Sequence, residues 1–441
     1  MKNYIEIKDT IKSFDKSIEV SGDKSISIRC VLLASQAIGK SRIYNLLESE
    51  DVINSLNSIN RLGIKYKKHK NFYEFHGFGI NGFEVKKNTT INAGNSGTLA
   101  RLILGLLVNS RKQIKLIGDK SLSNRDFSRV TTPIKKFGVN IISKNKSLPV
   151  KIMGSEFLRP INYDEKLGSA QCKSAVMLAA IKTPGKTIIK AKKSRNHTEL
   201  IFKHLKIPIK ITKKKEYDFI EINGPSNFMG FEYKVPGDIS SSSFFLVLAL
   251  LSKRSKIRIK NVNINYSRSG IIRILNKMNA KIEVKNKRNY KGEKIADIIV
   301  KSNNNLKGIN CPKNLNSSAI DEFLVIFLVA AKAKGVSIFR NLAELNKKES
   351  PRLEIATNFL NKIGVKIIRR DDNLKIYGNP KLNLNGKYII KNFKKDHRVF
   401  MMSCIAALSF GGEWKIEDKD SINTSFPIFL KTLKSLGARI I

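Results

Sequence analysis

The 441-residue sequence has few of the residues that build disulfide frameworks or metal sites. It contains 4 cysteines, Cys30, Cys172, Cys311 and Cys404, and 5 histidines. Three of the cysteines lie in apolar helical runs and none forms a Cys-x-x-Cys pair, which predicts buried free thiols in a reducing compartment. The histidines lack the spacing of metal ligands. We therefore expect no disulfide, no metal and no redox cofactor.

Long hydrophobic runs are also absent. The longest, such as residues 323–331, are too short to cross a bilayer, and no signal or transit sequence precedes the strand-like segment from Tyr4 to Ile7. The apolar share of 41% is that of a folded protein, and 441 residues suffice for two large domains. We expect a cytoplasmic monomer that does not bind a membrane.

Acidic residues are few: 36 Asp and Glu stand against 82 Lys and Arg, giving a net charge of +46. Such a charge is typical of nucleic-acid binders, of proteins at anionic membranes and of enzymes with anionic substrates. Lysine is spread over almost every predicted surface segment rather than gathered on one face with aromatic platforms. This spread favours solvation and small anionic substrates. A basic nucleic-acid-binding protein remains the alternative from a different class.

The chain repeats one unit six times. Each unit opens with an apolar helix and continues with a strand, a polar corner and a second, amphipathic helix that mostly ends at Gly. The units recur at intervals of roughly 70 to 80 residues, too long for a solenoid repeat. The apolar helices are predicted to begin near Asp23, Asn95, Gly168, Asp238, Ser318 and Asp396. The pattern predicts an α/β protein with layers of buried helices and mixed sheets.

Six units divide naturally into two domains of three. Pro236 and Gly237 interrupt the pattern just before a new apolar helix, so the chain is expected to change domain there. We predict one domain from residues 21–235 and a second from residues 1–20 together with 236–441.

The six helix starts are suited to binding anions. Gly and Ser at these positions let backbone N–H groups approach a ligand, and the positive end of the helix dipole favours negative charge. Lys24, Arg29, Arg101 and Arg398 add positive charge there. If these ends converge, they form a trap for small anions.

Ten runs in one order along nearly the whole chain resemble motifs of the 5-enolpyruvylshikimate-3-phosphate synthase (3-phosphoshikimate 1-carboxyvinyltransferase) family. They are GDKSISIR, NAGNSGTLAR, SLSNRDFSRV, SAQCKSAVMLA, SRNHTE, VPGDISSSSFF, IDEFLV, KKESPR, DHRVFM and TSFPIF. The resemblance implies a two-domain enolpyruvyl transferase-like fold, with three repeated βαβαββ units and buried parallel helices in each domain and the active site in the interdomain cleft. It implies transfer of the enolpyruvyl group of phosphoenolpyruvate to the 5-hydroxyl of shikimate 3-phosphate, with release of phosphate, on the shikimate pathway to chorismate and aromatic amino acids. It implies no cofactor.

The resemblance also assigns residues to the two substrates. The shikimate 3-phosphate ligands are expected to be Lys24, Ser25, Arg29, Ser169, Ala170, Gln171, Arg195, Asp321 and Lys348. The phosphoenolpyruvate ligands are expected to be Gly97, Arg125, Arg352 and Arg398, with Lys24 and Gln171 reaching both substrates. Forked Arg donors suit carboxylate and phosphate oxygens.

Three residues are expected to be catalytic by the same resemblance. The 5-hydroxyl must lose a proton as it adds to C2 of phosphoenolpyruvate, and C3 must gain one, so the reaction needs a carboxylate base and a nearby acid. Asp321 is the predicted proton acceptor. Glu349, with Lys24 nearby, is predicted to supply the proton at C3 and to remove one when phosphate leaves.

The sequence departs from the family pattern at several of these motifs. Pro351 stands where an Asp is common, and Asp126 where a Pro follows the binding Arg125. Thr424 stands where other branches have a Lys, so we expect that contact to be missing. Several runs are similar to the glyphosate-tolerant branch, yet Gly97 leaves room beside phosphoenolpyruvate, which predicts sensitivity to glyphosate.

Two other functions fit parts of the sequence. A UDP-N-acetylglucosamine enolpyruvyl transferase-like enzyme would share the fold and the donor, but a reactive loop cysteine of the kind found there is not seen. A catalytically dead relative is disfavoured because Lys24, Asp321, Glu349 and Arg398 are all present.

Overall fold

The computed structural model describes residues 3–441, and its helices follow the predicted repeat. They are α1 Lys24–Ala34, α2 Glu50–Arg61, α3 Gly97–Leu106, α4 Lys120–Ser123, α5 Ser128–Lys135, α6 Ala170–Ala180, α7 His197–His204, α8 Ile239–Leu251, α9 Gly270–Lys277, α10 Asn316–Ala319, α11 Phe323–Lys332, α12 Arg352–Lys362, α13 His397–Phe410 and α14 Phe429–Ser435. Short 3-10 turns lie at Lys144–Lys146, Lys313–Leu315, Ala343–Lys347 and Lys419–Thr424.

The strands are short. They are β1 Tyr4–Ile7, β2 Asp15–Glu19, β3 Ile38–Tyr44, β4 Tyr66–Lys68, β5 Phe72–Phe78, β6 Thr89–Asn92, β7 Ile114–Ile117, β8 Asn140–Ser143, β9 Val150–Met153, β10 Asn162–Glu165, β11 Gly185–Lys192, β12 Ile209–Lys213, β13 Tyr217–Gly224, β14 Glu232–Lys234, β15 Lys256–Asn263, β16 Glu283–Tyr290, β17 Glu293–Lys301, β18 Gly335–Phe339, β19 Ile367–Arg370, β20 Asn373–Gly378, β21 Lys387–Ile390 and β22 Glu413–Glu417.

The chain divides into two compact units. The N-terminal unit consists of Gly22–Val235 with the hairpin tip Asn289–Glu293. The C-terminal unit consists of the described residues up to Ser21 together with Pro236–Arg288 and Lys294–Ile441. The chain therefore enters the C-terminal unit first, crosses to the other unit at Gly22 and returns at Pro236.

The N-terminal unit contains three four-stranded sheets with one strand order. The orders are β14-β3-β5-β4, β6-β7-β9-β8 and β10-β11-β13-β12. In each sheet the first pair of strands is parallel and the other two pairs are antiparallel. This is the arrangement that the expected βαβαββ repeat requires, and it occurs three times in this unit.

The C-terminal unit repeats the arrangement with exchanged strands. Its sheets read β2-β15-β17-β16, β18-β20-β19 and β21-β22-β1. Strand β2 pairs in parallel with β15, and β1 closes the last sheet antiparallel to β22. The first two strands of the chain thus complete sheets formed mainly by its last 206 residues, Pro236 onward.

Six buried helices form the centre of the two units. In the N-terminal unit α1 packs against α3 and α3 against α6, while in the C-terminal unit α8, α11 and α13 pack against one another. Every residue of α8 and of α13 is buried. A helix that is apolar all round is stable only inside a larger protein, as the sequence predicts. Within residues 3–441 no helix is both long and apolar enough to span a bilayer.

The fifth buried helix begins later than the sequence pattern predicts. The predicted start near Ser318 is wrong: Ser318 lies in the separate turn α10, and α11 begins at Phe323. The Ser318 hydroxyl bonds to the Leu315 carbonyl, which holds that turn. Asp321 therefore lies in the bend between two helices, not on a helix.

The second helices end in a left-handed residue. Gly63, Gly364 and Gly437 follow their helices with φ values of 90°, 72° and 101°. In the two units whose sequences lack this Gly, Lys206 and Asn279 adopt the same conformation, with φ values of 58° and 68°. The helix-to-strand turn is therefore common to the repeat even where the glycine is not.

Candidate active site

The starts of α1, α3 and α6 lie side by side in the N-terminal unit. Asp23, Ser96 and Ser169 cap these helices through hydrogen bonds that their side chains accept from Ile26 N, Leu99 N and Cys172 N. Three of the predicted ligands, Lys24, Gly97 and Ala170, are the first residues of the helices. The first turns therefore present free N–H groups and positive dipole ends at one place.

Arg29 joins three of these elements. Its Nε donates to Thr198 Oγ1 at 2.8 Å, its Nη2 to Ser174 Oγ at 3.0 Å and its Nη1 to the Ser25 carbonyl at 2.8 Å. Thr198 and Ser174 are themselves hydrogen bonded at 2.7 Å. The guanidinium is thus held in one orientation between α1, α6 and α7.

The charge on Arg29 is affected by its burial. Burial lowers the pKa of Arg29 to about 10, although Glu199 and Asp23 act in the opposite direction and the nearby Arg195 adds to the decrease. Arg29 still carries its charge at neutral pH. The structure therefore brings together two predicted phosphate ligands, Arg29 and Arg195, whose mutual repulsion an anion would relieve.

Gln171 connects the starts of α3 and α6. Its Oε1 accepts from Arg101 Nη1 at 3.0 Å, and its Nε2 donates to Thr98 Oγ1 at 2.9 Å. Arg101 also donates to the Gly97 carbonyl at 3.1 Å. Gln171 thus lies close to Gly97, another predicted ligand.

Lys24 and Arg125 lie at the edges of this group. Lys24 Nζ is 2.9 Å from Asp51 Oδ2, a carboxylate at the start of α2. Arg125 has its Nη1 beside Gly97, 3.1 Å from where a methyl group on residue 97 would lie.

The adjoining Asp126 accepts hydrogen bonds from Ser128 N and Oγ at 2.7 and 2.5 Å. Burial opposes ionisation of Asp126, but these bonds hold its pKa below the ordinary value.

The starts of α8, α11 and α13 meet in the C-terminal unit through buried ion pairs. Asp238 caps α8 and Asp396 caps α13, each accepting from a backbone N–H two residues on. Arg268 binds Asp238, and Arg352 Nε binds Asp396 Oδ2 at 2.8 Å. Burial opposes ionisation of Asp396, but the Arg352 charge holds the pKa of the carboxyl below its ordinary value.

Asp321 is surrounded by four cations. Its Oδ2 accepts from Arg268 Nη1 at 3.2 Å and lies 3.8 Å from Arg398 Nη2. Its Oδ1 lies 3.4 Å from Arg352 Nη1 and 3.9 Å from Lys348 Nζ. The Asp321 side chain keeps 13% of its surface exposed. Opposite charges favour the ionised carboxylate, so this group is a hydrogen-bond acceptor that a ligand can reach.

Glu349 shares a guanidinium with Asp321. Arg352 Nη2 donates to Glu349 Oε2 at 2.6 Å, while Nη1 donates to Asp321. Burial alone would lower the pKa of Arg352, but Asp396 and Glu349 outweigh it and raise the pKa. Pro351 does not displace this arginine, because Pro351 takes the position before the first helical residue, where its missing N–H is no loss.

Glu322 is a buried carboxyl directly behind Asp321. Its Oε1 accepts a hydrogen bond from Ser240 Oγ, and Ser240 Oγ accepts from Arg268 Nη2 at 2.9 Å. Burial raises the pKa of Glu322, and the negative Asp321 acts in the same direction. Glu322 is thus a structural group rather than a ligand, since its side chain lies inside the unit.

Thr424 and His397 contact each other at the start of α13. His397 Nδ1 lies 3.1 Å from Thr424 Oγ1, which also donates to the Ser421 carbonyl at 2.8 Å. The Thr hydroxyl carries no charge, in contrast to the lysine of other branches.

The cysteines are buried and reduced, as predicted. All four are free and buried. Burial raises the pKa of each thiol, to about 11 for Cys311. None is a reactive thiolate at neutral pH. Among residues 3–441 no group of three His, Cys, Asp or Glu side chains is placed to hold a metal ion.

The sequence did not reveal several residues that hold this site. Asp51, Thr198 and Arg268 contact predicted ligands, and the sequence assigned them no role. A signal existed for Thr198, which lies in the SRNHTE run, and for Asp51, which ends the first repeat's corner. Arg268 gave none, because a single Arg before a helix is a common surface pattern.

Known proteins match the chain over nearly its whole length. The family model of EPSP synthase (3-phosphoshikimate 1-carboxyvinyltransferase) matches residues 8–433. A 3-phosphoshikimate 1-carboxyvinyltransferase of Ruthia magnifica subsp. Calyptogena magnifica is 38% identical over 97% of each chain. One of Streptococcus mutans serotype c is 36% identical over 98% of this chain and 99% of the relative.

A solved structure agrees with these sequence matches. The EPSP synthase of Acinetobacter baumannii superposes with a TM-score of 0.88 at 31% identity, covering 99% of both chains. The two sets of helix starts described above therefore lie in a fold that this enzyme shares. The chain belongs to the EPSP synthase (3-phosphoshikimate 1-carboxyvinyltransferase) family.

Proposed function

We propose that this protein transfers the enolpyruvyl group of phosphoenolpyruvate to the 5-hydroxyl of shikimate 3-phosphate and releases inorganic phosphate. The family match and the relatives named 3-phosphoshikimate 1-carboxyvinyltransferase support the reaction. The chemistry of the helix starts supports the substrates, since both are small and carry several negative charges.

The observation that carries the proposal is the pair of carboxylates on Arg352. Asp321 and Glu349 are both reachable from outside, with 13% and 23% of their side chains exposed. The other carboxyl groups of the network are buried: Asp238 and Asp396 serve as helix caps, and Glu322 lies inside the unit. Two accessible carboxylates beside several cations are what an addition–elimination reaction between two anions requires.

The proposal assigns the proton transfers to the predicted catalytic residues. Asp321 takes the proton of the 5-hydroxyl as its oxygen bonds to C2 of phosphoenolpyruvate, and Glu349 with Lys24 supplies a proton to C3. In the second step C3 returns its proton to Glu349, the C2–O bond to phosphate breaks and the double bond is restored, and the phosphate leaves with the proton that Asp321 took from the hydroxyl. The net change is the transfer of one enolpyruvyl group from phosphate to the 5-oxygen of shikimate 3-phosphate, with no oxidation or reduction.

The remaining predicted residues bind charge in this proposal. Arg125, Arg352 and Arg398 hold phosphoenolpyruvate beside Gly97, and the shikimate 3-phosphate ligands are Lys24, Ser25, Arg29, Ser169, Ala170, Gln171, Arg195, Asp321 and Lys348. Residues of both units are expected to act on the same substrates, in a cleft between the domains. The proposal includes action as a cytoplasmic monomer on small molecules, without nucleic acid.

Acceptor choice is the experiment that separates this proposal from its nearest alternative. Purified protein is given phosphoenolpyruvate with either shikimate 3-phosphate or UDP-N-acetylglucosamine, and products are identified by mass spectrometry. We expect an enolpyruvyl adduct of shikimate 3-phosphate alone. An adduct of the UDP-sugar would instead indicate a UDP-N-acetylglucosamine enolpyruvyl transferase-like enzyme. In a separate assay, binding of duplex DNA at physiological salt would support the nucleic-acid alternative.

A further inference from the structure

Arg268 is one of the two fully buried cations around Asp321, the other being Arg352. Its side chain is 2% exposed, against 9% for Arg398 and 28% for Lys348. Arg352 is equally buried but divides its donors among Asp396, Glu349 and Asp321. Arg268 is the one cation of the four to which the family resemblance gives no substrate.

The contacts of Arg268 fix its orientation. Nη2 donates to Asp238 Oδ1 at 3.1 Å and to Ser240 Oγ at 2.9 Å, both at the start of α8. Nη1 donates to Asp321 Oδ2 at 3.2 Å. The guanidinium is planar and rigid, so anchoring one edge on α8 fixes the direction of the donor that meets Asp321.

Asp321 benefits from such an anchor because it does not lie within a regular helix. It lies in the bend between α10 and α11. Its other three cations are the proposed ligands of anionic substrates, so their donors are shared with those substrates once bound. The hydrogen bond from Arg268 to Asp321 Oδ2 remains, and Asp321 Oδ1 stays directed toward Lys348 and Arg352.

We propose that Arg268 is a positioning residue, which holds Asp321 ionised and oriented to accept the proton of the acceptor hydroxyl. The proposal rests on the proposed function, because it assigns Arg268 a role in that reaction through Asp321. In this proposal Arg268 acts through Asp321 and not by binding substrate.

The test is a double-mutant cycle between Arg268→Gln and Asp321→Asn, measured as kcat and KM for both substrates. Alone, Arg268→Gln is expected to lower kcat roughly a hundredfold, as a misplaced catalytic group does, with little change in the KM for phosphoenolpyruvate. In the Asp321→Asn background it should cause no further loss, since the group it positions is already gone.

A pH profile gives a second readout that a purely structural role would not change. Removing the positive charge of Arg268 makes the ionised form of Asp321 less favourable. The acidic limb of kcat/KM for shikimate 3-phosphate should therefore move to higher pH. The charged groups facing Asp321 are Arg268, Lys348, Arg352, Arg398 and the buried Glu322. All but the first stay the same in the variant.

Two further variants keep the test decisive. Arg268→Lys retains the charge but cannot reach both Asp238 and Asp321, so its kcat should lie between those of the parent and of Arg268→Gln. If Arg268→Gln does not fold, Arg268→Lys takes its place in the double-mutant cycle. The control is Arg273→Gln in α9, five residues further along the chain; Arg273 donates to the Tyr266 carbonyl and to Ser318 Oγ. It removes the same charge and should leave kcat and the pH profile unchanged.

The outcomes separate this inference from the proposed function. If the losses in kcat of the two single variants multiply in the double mutant, or if the acidic limb of the pH profile of Arg268→Gln does not move, the role of Arg268 is overturned. The proposed reaction of the wild type is not affected by either result. A wild-type protein that forms no product would overturn the proposed function, and the inference with it.

Discussion

Arg29 illustrates how single residues set the geometry of the site. The sequence identifies it as a predicted ligand, but the groups that orient it, Thr198 and Ser174, come from α7 and α6 and are far away in sequence. The same holds for Lys24 with Asp51 and for Asp321 with Arg268. A motif identifies the residues expected to touch substrate, whereas the residues behind them become visible only in three dimensions.

Thr198→Val should weaken binding of shikimate 3-phosphate. The change removes the acceptor for Arg29 Nε and leaves a buried charge with one partner fewer, so KM for shikimate 3-phosphate should rise about tenfold. Steady-state kinetics measure this, and Thr198→Ser, which keeps the hydroxyl, should restore the parent value. Equal KM values for the Val and Ser variants would show that Arg29 does not depend on this bond.

Gly97→Ala should impair phosphoenolpyruvate and glyphosate binding. A methyl group at this position would lie 2.8 Å from Arg101 Nη1 and 3.1 Å from Arg125 Nη1. Both are ends of flexible side chains, so the fold should persist while the arginines move. We expect the KM for phosphoenolpyruvate and the glyphosate inhibition constant to rise by about tenfold or more, with KM for shikimate 3-phosphate as internal control. Undiminished inhibition by glyphosate would refute this placement of Gly97.

At the scale of elements, the helix starts were the most predictable feature. Five of the six predicted starts lie within two residues of the observed helices, because Asp, Ser or Gly before an apolar run is a strong capping signal. The remaining start, that of the fifth buried helix, differs because the sequence shows no break between Ser318 and Phe323, although the backbone bends there. That bend is where Asp321 lies, so the one misplaced start is also the one at the proposed base.

Lys206→Gly should stabilise the turn after α7. Lys206 adopts φ 58° at the position where other repeats have Gly, and relief of this left-handed strain exceeds the entropy lost with glycine. We expect a gain of about 0.5–1 kcal/mol in the free energy of unfolding, seen as a higher midpoint of thermal unfolding. Lys203→Gly, inside the same helix, is the matched control and should lower that midpoint.

At the scale of the whole molecule, most of the charge lies on the surface, apart from buried groups such as those around Asp321. The net charge is +46, yet Lys182 is buried, with Nζ bonded to the Ile80 carbonyl and lying 3.1 Å from Asn109 Oδ1. Burial lowers the pKa of Lys182 to about 7. The folded protein therefore binds one proton fewer than the unfolded chain between about pH 7 and the ordinary lysine pKa of about 10.4.

This linkage makes the stability of the protein depend on pH. Because of Lys182, the free energy of unfolding should rise with pH across that window, by at most ~1.4 kcal/mol per pH unit. Below pH 7 the buried lysine is charged, and its full destabilising effect is present. The stability difference between Lys182→Met and the parent should therefore fall as pH rises from 7 to 10. Denaturant unfolding at several pH values measures it, with the exposed Lys115→Met as control. A difference independent of pH would mean that Lys182 stays protonated throughout.

The repeat pattern carried most of the fold prediction. Helices recurring with a common corner and a common Gly end indicated six α/β units, and the family motifs indicated how they group. The grouping of residues 1–20 with 236–441 anticipated that the first strands pair within the C-terminal domain, as β2 does with β15. The pairing of β14 with β3, which lies far from it in sequence, was not anticipated. Strands of three to five residues carry too little periodicity to specify their partners.

Phosphate release in the presence of both substrates tests the central claim most directly. Purified wild-type protein and Asp321→Asn are compared with shikimate 3-phosphate and phosphoenolpyruvate together and with each alone. The account predicts release by the wild type only when both are present, and a loss of that release in the variant. No release by folded wild-type protein, or equal release by the variant, would contradict it.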